Sequence, residues 1–270
     1  MSALKIGIVG AAGRMGRMLV KQVSETAGCM IYGGTEPEGS DNIGKDINAL
    51  AGLEPSGILI GDDTTKLFDE ADAVIDFTAP AASVAHAKLA AKAGKILVIG
   101  TTGLTNEQQA DITACGDKAV IVQGANMSLG VNLLAQLTRK VAAILDDEFD
   151  IEILEMHHHH KVDAPSGTAL LLGKSAAAGR DVDHDSVADR GRDGITGARK
   201  RGDIGYAVLR GGNVVGDHTV IFAAENERIE LTHKAGDRSI FARGAVRAAL
   251  WAKDKPAGNY DMMDVLGLGE

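Results

Sequence analysis

Residues 4–16 read Leu-Lys-Ile-Gly-Ile-Val-Gly-Ala-Ala-Gly-Arg-Met-Gly, and they decide the fold. Leu4 to Val9 is a short apolar run with β-branched residues, the pattern of a buried strand. Gly10, Gly13 and Gly16 follow as G-x-x-G-x-x-G. Met15, Met18, Leu19, Gln22 and Val23 then recur at helical spacing. Strand, glycine turn and helix make a phosphate-binding start. The glycines let the backbone approach a pyrophosphate, and the N–H groups of the first helical turn bind it. On this reading the turn from Gly10 to Gly16 approaches a dinucleotide. The spacing departs from G-x-G-x-x-G, and the alternative is a tight β–α turn with no ligand.

The second strand, Met30 to Glu36, ends in an acid about 20 residues beyond the glycines, where a carboxylate accepts the ribose hydroxyls. Glu36 fits that role; the alternative is a solvated loop acid. Pro37 offers no charge to a 2′-phosphate, whereas Arg14 and Arg17 do, so NADH and NADPH both stay open. Residues 37–57 read mostly as loop and Ile58 to Ile60 as a strand. Further strands follow at Ala73 to Phe77, Lys95 to Ile99 and Ala119 to Val122, with helices at Ser83 to Ala93 and from a Thr105 cap to Cys115. Continuous apolar strands alternating with helices imply a parallel sheet covered on both faces, a Rossmann-type α/β domain. Ligands of such sheets bind beyond the strands' carboxyl ends. Those ends include Phe77-Thr78, Gly100-Thr101-Thr102 and Gly124-Ala125-Asn126-Met127, all small, polar or glycine-rich.

The second half differs in kind. A helix runs from Gly130 to Leu145, and Phe149 to Met156 is a strand with histidines at its end. Thr168 to Ala178 is a helix, and residues 179–203, charged and glycine-rich, read as a mobile loop. Ile204 to Arg210, Val214 to Ala223 and Arg228 to His233 are strands joined by short turns, implying a mixed or antiparallel sheet. Ser239 to Lys253 is a helix, and the tail after it docks on the first domain. The expected layout is a dinucleotide-binding domain of residues 1–128 and 239–270. Residues 129–238 form an α+β substrate-binding and oligomerisation domain. Few residues remain to cover the second sheet, so a homo-oligomer burying that face is expected.

Composition narrows the function. A chain of 270 residues, 45% hydrophobic and 24% charged, has ordinary globular composition. A net charge of −9 argues against nucleic acid, whose backbone needs a basic face. No apolar run approaches the roughly 20 residues of a membrane span, and no signal peptide is read at the start. Cys29 and Cys115, far apart and in no metal spacing, read as free thiols in a reducing cytoplasm. An anionic substrate would therefore need a local cluster of positive groups.

Residues 152–169, Glu-Ile-Leu-Glu-Met-His-His-His-His-Lys-Val-Asp-Ala-Pro-Ser-Gly-Thr-Ala, supply that cluster. Four consecutive histidines admit three readings: an engineered tag, a metal site, or acid–base and anion-binding work. The run is internal and flanked by structured patterns, against a tag. No H-E-x-x-H or cysteine cluster accompanies it, against a metal. Imidazole exchanges protons near neutral pH, Lys161 adds a fixed charge, and a Pro165-Ser166-Gly167-Thr168 turn presents N–H groups at a helix start. Such a set suits a small dicarboxylate with an imine or carbonyl to be reduced.

The run Glu152 to His157 followed by Lys161-Val162-Asp163-Ala164-Pro165-Ser166-Gly167-Thr168-Ala169 resembles the signature of the dihydrodipicolinate reductases. The resemblance extends to Gly10–Gly16, Asp76-Phe77-Thr78, Gly100–Gly103, Ala125-Asn126, Val215–Thr219, Leu231–Lys234 and Gly244–Ala249. It implies hydride transfer from NADH or NADPH to a cyclic, unsaturated dicarboxylate in the diaminopimelate route to lysine, giving tetrahydrodipicolinate. By position it makes His157 the acid–base residue and Lys161 the proton donor. His158, Gly167 and Thr168 hold the substrate carboxylates. Gly10 to Met15, Glu36, Gly100 to Thr102 and Gly124 to Met127 hold the dinucleotide. It implies a tetramer through the second domain's sheet. His159, Pro37 and Ala79 stand where some relatives carry basic residues, which weakens a strict NADPH preference. Two rivals remain: another imino- or amino-acid dehydrogenase of similar build, and a non-catalytic nucleotide sensor. The 161–168 motif argues against the first, and the lack of a winged helix or basic patch against the second.

Overall fold

The structure, a computed structural model, describes residues 2–269. The chain divides into two compact units, one running to Ser128 and resuming at Ser239, the other Leu129–Arg238.

The first unit begins β1 (Leu4–Val9), α1 (Arg14–Glu25), β2 (Cys29–Thr35), α2 (Ile47–Leu50), α3 (Thr64–Glu70) and β3 (Ala73–Asp76). It continues α4 (Pro80–Ala93), β4 (Ile96–Ile99), α5 (Asn106–Cys115) and β5 (Val120–Gln123). Its six-stranded sheet, completed by the carboxyl-terminal β11 (Gly258–Tyr260), has the order β11-β5-β4-β3-β1-β2 and is parallel throughout. Every residue of β3 and β4 is buried, the reason these strands are apolar without alternation. Leu67, Phe68, Leu97, Ile112 and Ile121 fill the layer between α3–α5 and one face of the sheet. On the other face lie α1 and α9 (Ser239–Ala252), where Gly244 lets α9 press against the backbone at Met127. A Cβ at Gly244 would sit 1.7 Å from the Met127 carbonyl oxygen. Thr105 caps α5 as read, with Gln108 completing a capping box, whereas α4 begins at Pro80 and not at the expected Ser83.

Two further expectations for this unit are corrected. Ile58 to Ile60 is not a sheet strand; Leu59 makes an isolated bridge with Asp46, and the next residue but one, Gly61, makes one with Thr35. The segment belongs to neither sheet, and Leu59 is 60% exposed. The segment instead closes the excursion between β2 and α3. Within that excursion Asp46 caps α2, which was expected to be loop.

The second unit comprises α6 (Leu129–Ile144), β6 (Asp150–His157), α7 (Gly167–Gly179), α8 (His184–Val187), β7 (Ala188–Asp189), β8 (Ile204–Arg210), β9 (Gly216–Ala223) and β10 (Arg228–Ala235). Its sheet runs β10-β9-β6-β8-β7, with β6 antiparallel to β9 and parallel to β8. Hence β8 and β9 are not a hairpin, although a short turn joins them: β6 lies between. Residues 211–215 arch over the end of β6, where His158 N–H donates to Val214 O (2.7 Å) and Gly211 N–H to His157 O (2.9 Å). That arch fixes the start of the histidine run. Helices α6 and α7 pack together, and α7 lies on β6, β8 and β9. Residues 179–203 are more structured than a loop. Besides α8 and β7 they carry Arg192 and Arg199, which both donate to the Glu152 carboxylate (2.6 and 2.8 Å), and Arg199 also reaches Asp150 (2.7 Å). Those carboxylates are distant in sequence, which is why charge and glycine content alone suggested a free segment. The carboxyl-terminal tail returns to the first unit as β11, paired with β5, and α10 (Met262–Leu266).

Candidate active site

In the first unit the glycine turn is built for close backbone approach. Gly10 has φ +68°, and a Cβ there would come within 2.9 Å of Thr78 Cγ2. A Cβ at Gly16 would lie 2.2 Å from Gly10 O, so α1 can sit this close to the turn only with glycine. Helix α1 starts on Gly13, which brings no side chain to cap the first-turn N–H groups. Gly10 and Ala11 donate to Thr35 O (2.8 and 3.2 Å), and Ala12 N–H donates to Glu36 Oε1 (2.8 Å). The turn and Glu36 therefore form one hydrogen-bonded edge. Arg14 is exposed beside it. An uncapped helix start, a glycine cradle and an acid at the end of β2 fit a dinucleotide's pyrophosphate and ribose.

The neighbouring strand ends are wired together. Asp76, wholly buried, accepts from Thr78 N–H (2.8 Å), Thr78 Oγ1 (2.6 Å) and Thr101 Oγ1 (3.3 Å), and meets His86 Nδ1 at 2.8 Å. Burial opposes its charge, but His86 and the Thr78 donors outweigh it and hold the carboxyl below its usual range. Ser83 Oγ donates to Thr101 Oγ1 (2.8 Å). Gly100 is packed so closely on Phe77 that a Cβ would be 2.2 Å from its ring. Thr102 is exposed, and Gly124 N–H bonds Ile99 O (3.1 Å). Asn126 Oδ1 accepts from Ser128 N–H (2.8 Å), which shapes the turn after β5 and Ala125. Met127 is 1% exposed, so its side chain belongs to the core and only its backbone can serve a ligand. Asp76 and His86 carry no role in the sequence reading. The available signal was an acid ending the apolar run Ala73-Val74-Ile75, since a buried carboxylate requires partners.

In the second unit, alternation along β6 puts Ile151, Ile153, Glu155 and His157 on the buried, α7-facing side. His157 Nδ1 lies 2.6 Å from Glu155 Oε2. Arg210 clamps Glu155 with both terminal nitrogens (2.8 and 2.9 Å), and Ser166 N–H donates to it (3.0 Å). Burial works against this charge too, but the Arg210, His157 and Ser166 donors keep the carboxyl depressed. Ser166 caps α7, accepting from Ala169 N–H (3.1 Å), and a Cβ at Gly167 would meet nothing within 4 Å. The positive end of a 13-residue helix thus opens at Gly167 and Thr168. Lys161 Nζ donates to Asp163 Oδ1 (2.7 Å), which lowers that carboxyl's pKa. His158 is held toward neutrality by partial desolvation and by the cationic surroundings of Arg238, His157, His160 and Lys161. His159 and His160 are exposed, with their rings tilted against each other at 3.9 Å between centroids. Among the described residues no group of three or more His, Cys, Asp or Glu is placed to hold a metal ion.

His218 also escaped the sequence reading. It faces Glu155 across the β6–β9 pair, touches His157 edge-on at 5.1 Å and bonds Ser166 Oγ at 3.0 Å. Burial, then the nearby His157, lower its pKa from 6.5 to about 4. The unfolded chain binds its proton below about pH 6.5 and the folded chain only below about 4. Stability therefore rises with pH across that window and is lost on acidification through it. The full contribution is about 3 kcal/mol for a shift of this size. Urea unfolding at pH 7 and 4.5 is expected to show a smaller difference for His218→Gln than for the parent; equal differences would refute the assignment.

The comparisons with known proteins agree on both halves. The family model for dihydrodipicolinate reductase, N-terminus, matches residues 4–127, and that for dihydrodipicolinate reductase, C-terminus, matches residues 130–266. A 4-hydroxy-tetrahydrodipicolinate reductase of Ruegeria pomeroyi is 58% identical over 263 residues, 97% of this chain and 98% of the relative. One of Rhodopseudomonas palustris is 57% identical over the whole of both chains, 270 residues. A dipicolinate-bound dihydrodipicolinate reductase from Paenisporosarcina sp. TG-14 matches in fold, with TM-score 0.75 and 22% identity over 97% of this chain and 98% of its own. GenD2 from gentamicin A biosynthesis, solved in complex with NAD, has TM-score 0.61 at 12% identity, over 99% and 91% of the two chains. With the two family models together spanning nearly its whole length, the chain belongs to the dihydrodipicolinate reductase family.

Proposed function

We propose that His157 and Lys161 are the proton-handling groups of an NADH- or NADPH-dependent reduction of 4-hydroxy-tetrahydrodipicolinate to tetrahydrodipicolinate. The observation that carries this is the density of the second unit's site. Within residues 155–168 stand a carboxylate-bound imidazole, a lysine held by its own counter-ion and an open helix mouth. In a chain of net charge −9, this is where a dianion finds compensation. His158 and the N–H groups at Gly167 and Thr168 hold the two substrate carboxylates. The paired Lys161–Asp163 keeps an ammonium on hand without a bare excess of charge. His157 accepts or returns a proton through the ring nitrogen that Glu155 does not engage.

Residues Gly10 to Met15 hold the pyrophosphate, and Glu36 the adenosine ribose. Gly100 to Thr102 and Gly124 to Met127 hold the nicotinamide half. A reduced nicotinamide dinucleotide, when bound, supplies the two electrons as hydride. Residues 129–238 act as the substrate-binding and oligomerisation domain, the remainder as the dinucleotide-binding domain. The face of the second sheet away from α7 carries Leu154, Met156, Leu209 and Ile221, with Leu209 48% exposed. We assign this face to a homotetramer contact. Among the described residues no helix is long and apolar enough to cross a membrane, and both cysteines are free thiols, which fits a cytoplasmic enzyme.

The test follows NADH absorbance with substrate generated in situ from aspartate semialdehyde and pyruvate. No substrate-dependent loss of absorbance would end the proposal. The same assay settles cofactor choice. Glu36 repels a 2′-phosphate, and Pro37 adds no cation. We therefore expect kcat/KM with NADH to equal or exceed that with NADPH, or to fall below it by less than about tenfold, a gap of about 1.4 kcal/mol. A preference for NADPH beyond roughly a hundredfold, twice that gap, would show Glu36 and Pro37 misread.

A further inference from the structure

We infer that Glu155 is a positioning residue for His157, fixing which ring nitrogen carries the proton and leaving the other open for transfer. The inference rests on the reading of His157 as the acid–base group. Glu155 is 1% exposed on a strand face it shares with Ile151, Ile153 and His157. A buried ion is costly, and an aliphatic side chain would pack there without partners. The chain nevertheless spends both carboxylate oxygens on four donors. Oε1 takes Arg210 Nη2 (2.9 Å) and Ser166 N–H (3.0 Å); Oε2 takes Arg210 Nη1 (2.8 Å) and His157 Nδ1 (2.6 Å). Arg210 is itself fixed, since Nη2 also donates to Asp163 O (2.6 Å) and Nη1 to Leu209 O (2.7 Å).

An ionised carboxylate only accepts hydrogen bonds. With Glu155 held ionic by the arginine fork, His157 must place its proton on Nδ1, which leaves Nε2 as the exchanging nitrogen. The surroundings of Nε2 agree. Its neighbour on β9 is Gly216, where a Cβ would stand 3.0 Å from it, so any side chain there would crowd the nitrogen. Geometry thus ties three strands and the start of α7 to the protonation pattern of one imidazole.

A purely structural brace would have the same contacts, so the test must separate the two roles. Glu155→Gln keeps shape and removes charge; its amide can donate to Nδ1 and reverse the ring's tautomer. We expect kcat to fall roughly tenfold or more, because a wrong tautomer blocks proton transfer, with the substrate KM within about threefold of the parent's. In a His157→Gln background the same change is expected to cost less than about twofold, since groups acting as a unit are non-additive. Equal losses in both backgrounds, or no loss in the parent, would overturn the role of Glu155. An unchanged kcat in His157→Gln alone would instead overturn the reading of His157. Imidazole 15N NMR of the unaltered protein gives a measurement that needs no variant: His157 is expected as the Nδ1–H tautomer when neutral, and a dominant Nε2–H form would sink the proposal.

Discussion

Replacing Lys161 with alanine is expected to cut kcat by at least about 10³-fold while leaving the Kd for NADH within about threefold. The loss combines a missing proton donor, worth 10²–10⁴ by itself, with the loss of charge at the site. Lys161 Nζ is bound to Asp163 at 2.7 Å. Without the ammonium, that carboxylate stays beside the place proposed for a dianion, so the variant loses an attraction and gains a repulsion. Dinucleotide affinity is spared because every residue assigned to the cofactor lies in the unit that does not contain Lys161. Lys161→Arg separates the parts. Guanidinium keeps the charge but does not give up a proton near neutral pH. It is therefore expected to recover much of the substrate KM and little of kcat. Fluorescence titration with NADH and steady-state rates check both; a Lys161→Ala enzyme within tenfold of the parent kcat would remove lysine from the mechanism.

The second large effect is at His157. His157→Ala is expected to lower kcat by about 10²–10⁴, the usual size of a general acid–base contribution. The same change takes one of four donors from the buried Glu155 carboxylate, so a stability loss of about 1–3 kcal/mol accompanies it. Thermal unfolding and single-turnover rates distinguish the two effects: at a temperature well below the midpoint the folded fraction is unchanged, and a kcat deficit persisting there is chemical. An unimpaired kcat would show that the ring only packs.

Much of this was legible along the chain because the governing signals are local. Glycine at positions 10, 13 and 16 and Thr105 act through residues a few places away, and the elements they start are where the sequence puts them. The apolar runs of β3 and β4 announce a doubly covered parallel sheet for the same reason: two helical layers leave no polar side. Parity along β6 even makes the burial of Glu155 readable, since it shares the odd positions with Ile151, Ile153 and His157. Where the reading failed, the missing information was distant. Ile58–Ile60 has strand chemistry, but only the isolated bridges at Leu59 and Gly61 form there. Residues 179–203 look like unattached loop until Glu152 and Asp150 appear beneath Arg192 and Arg199. Insertion of β6 between β8 and β9 overrides the hairpin that a short turn suggests.

By itself, then, the sequence determined the class of fold and the stretch that carries the chemistry. Backbone conformation, period and capping depend on near neighbours, and a motif is a string of near neighbours. Only the tertiary structure decided the electrostatic state of that stretch. Arg210 lies 55 residues from Glu155, and Ser166 lies 52 from His218. A charge's stability depends on what surrounds it in space, because desolvation and Coulomb attraction fall off with distance through the fold, not along the chain.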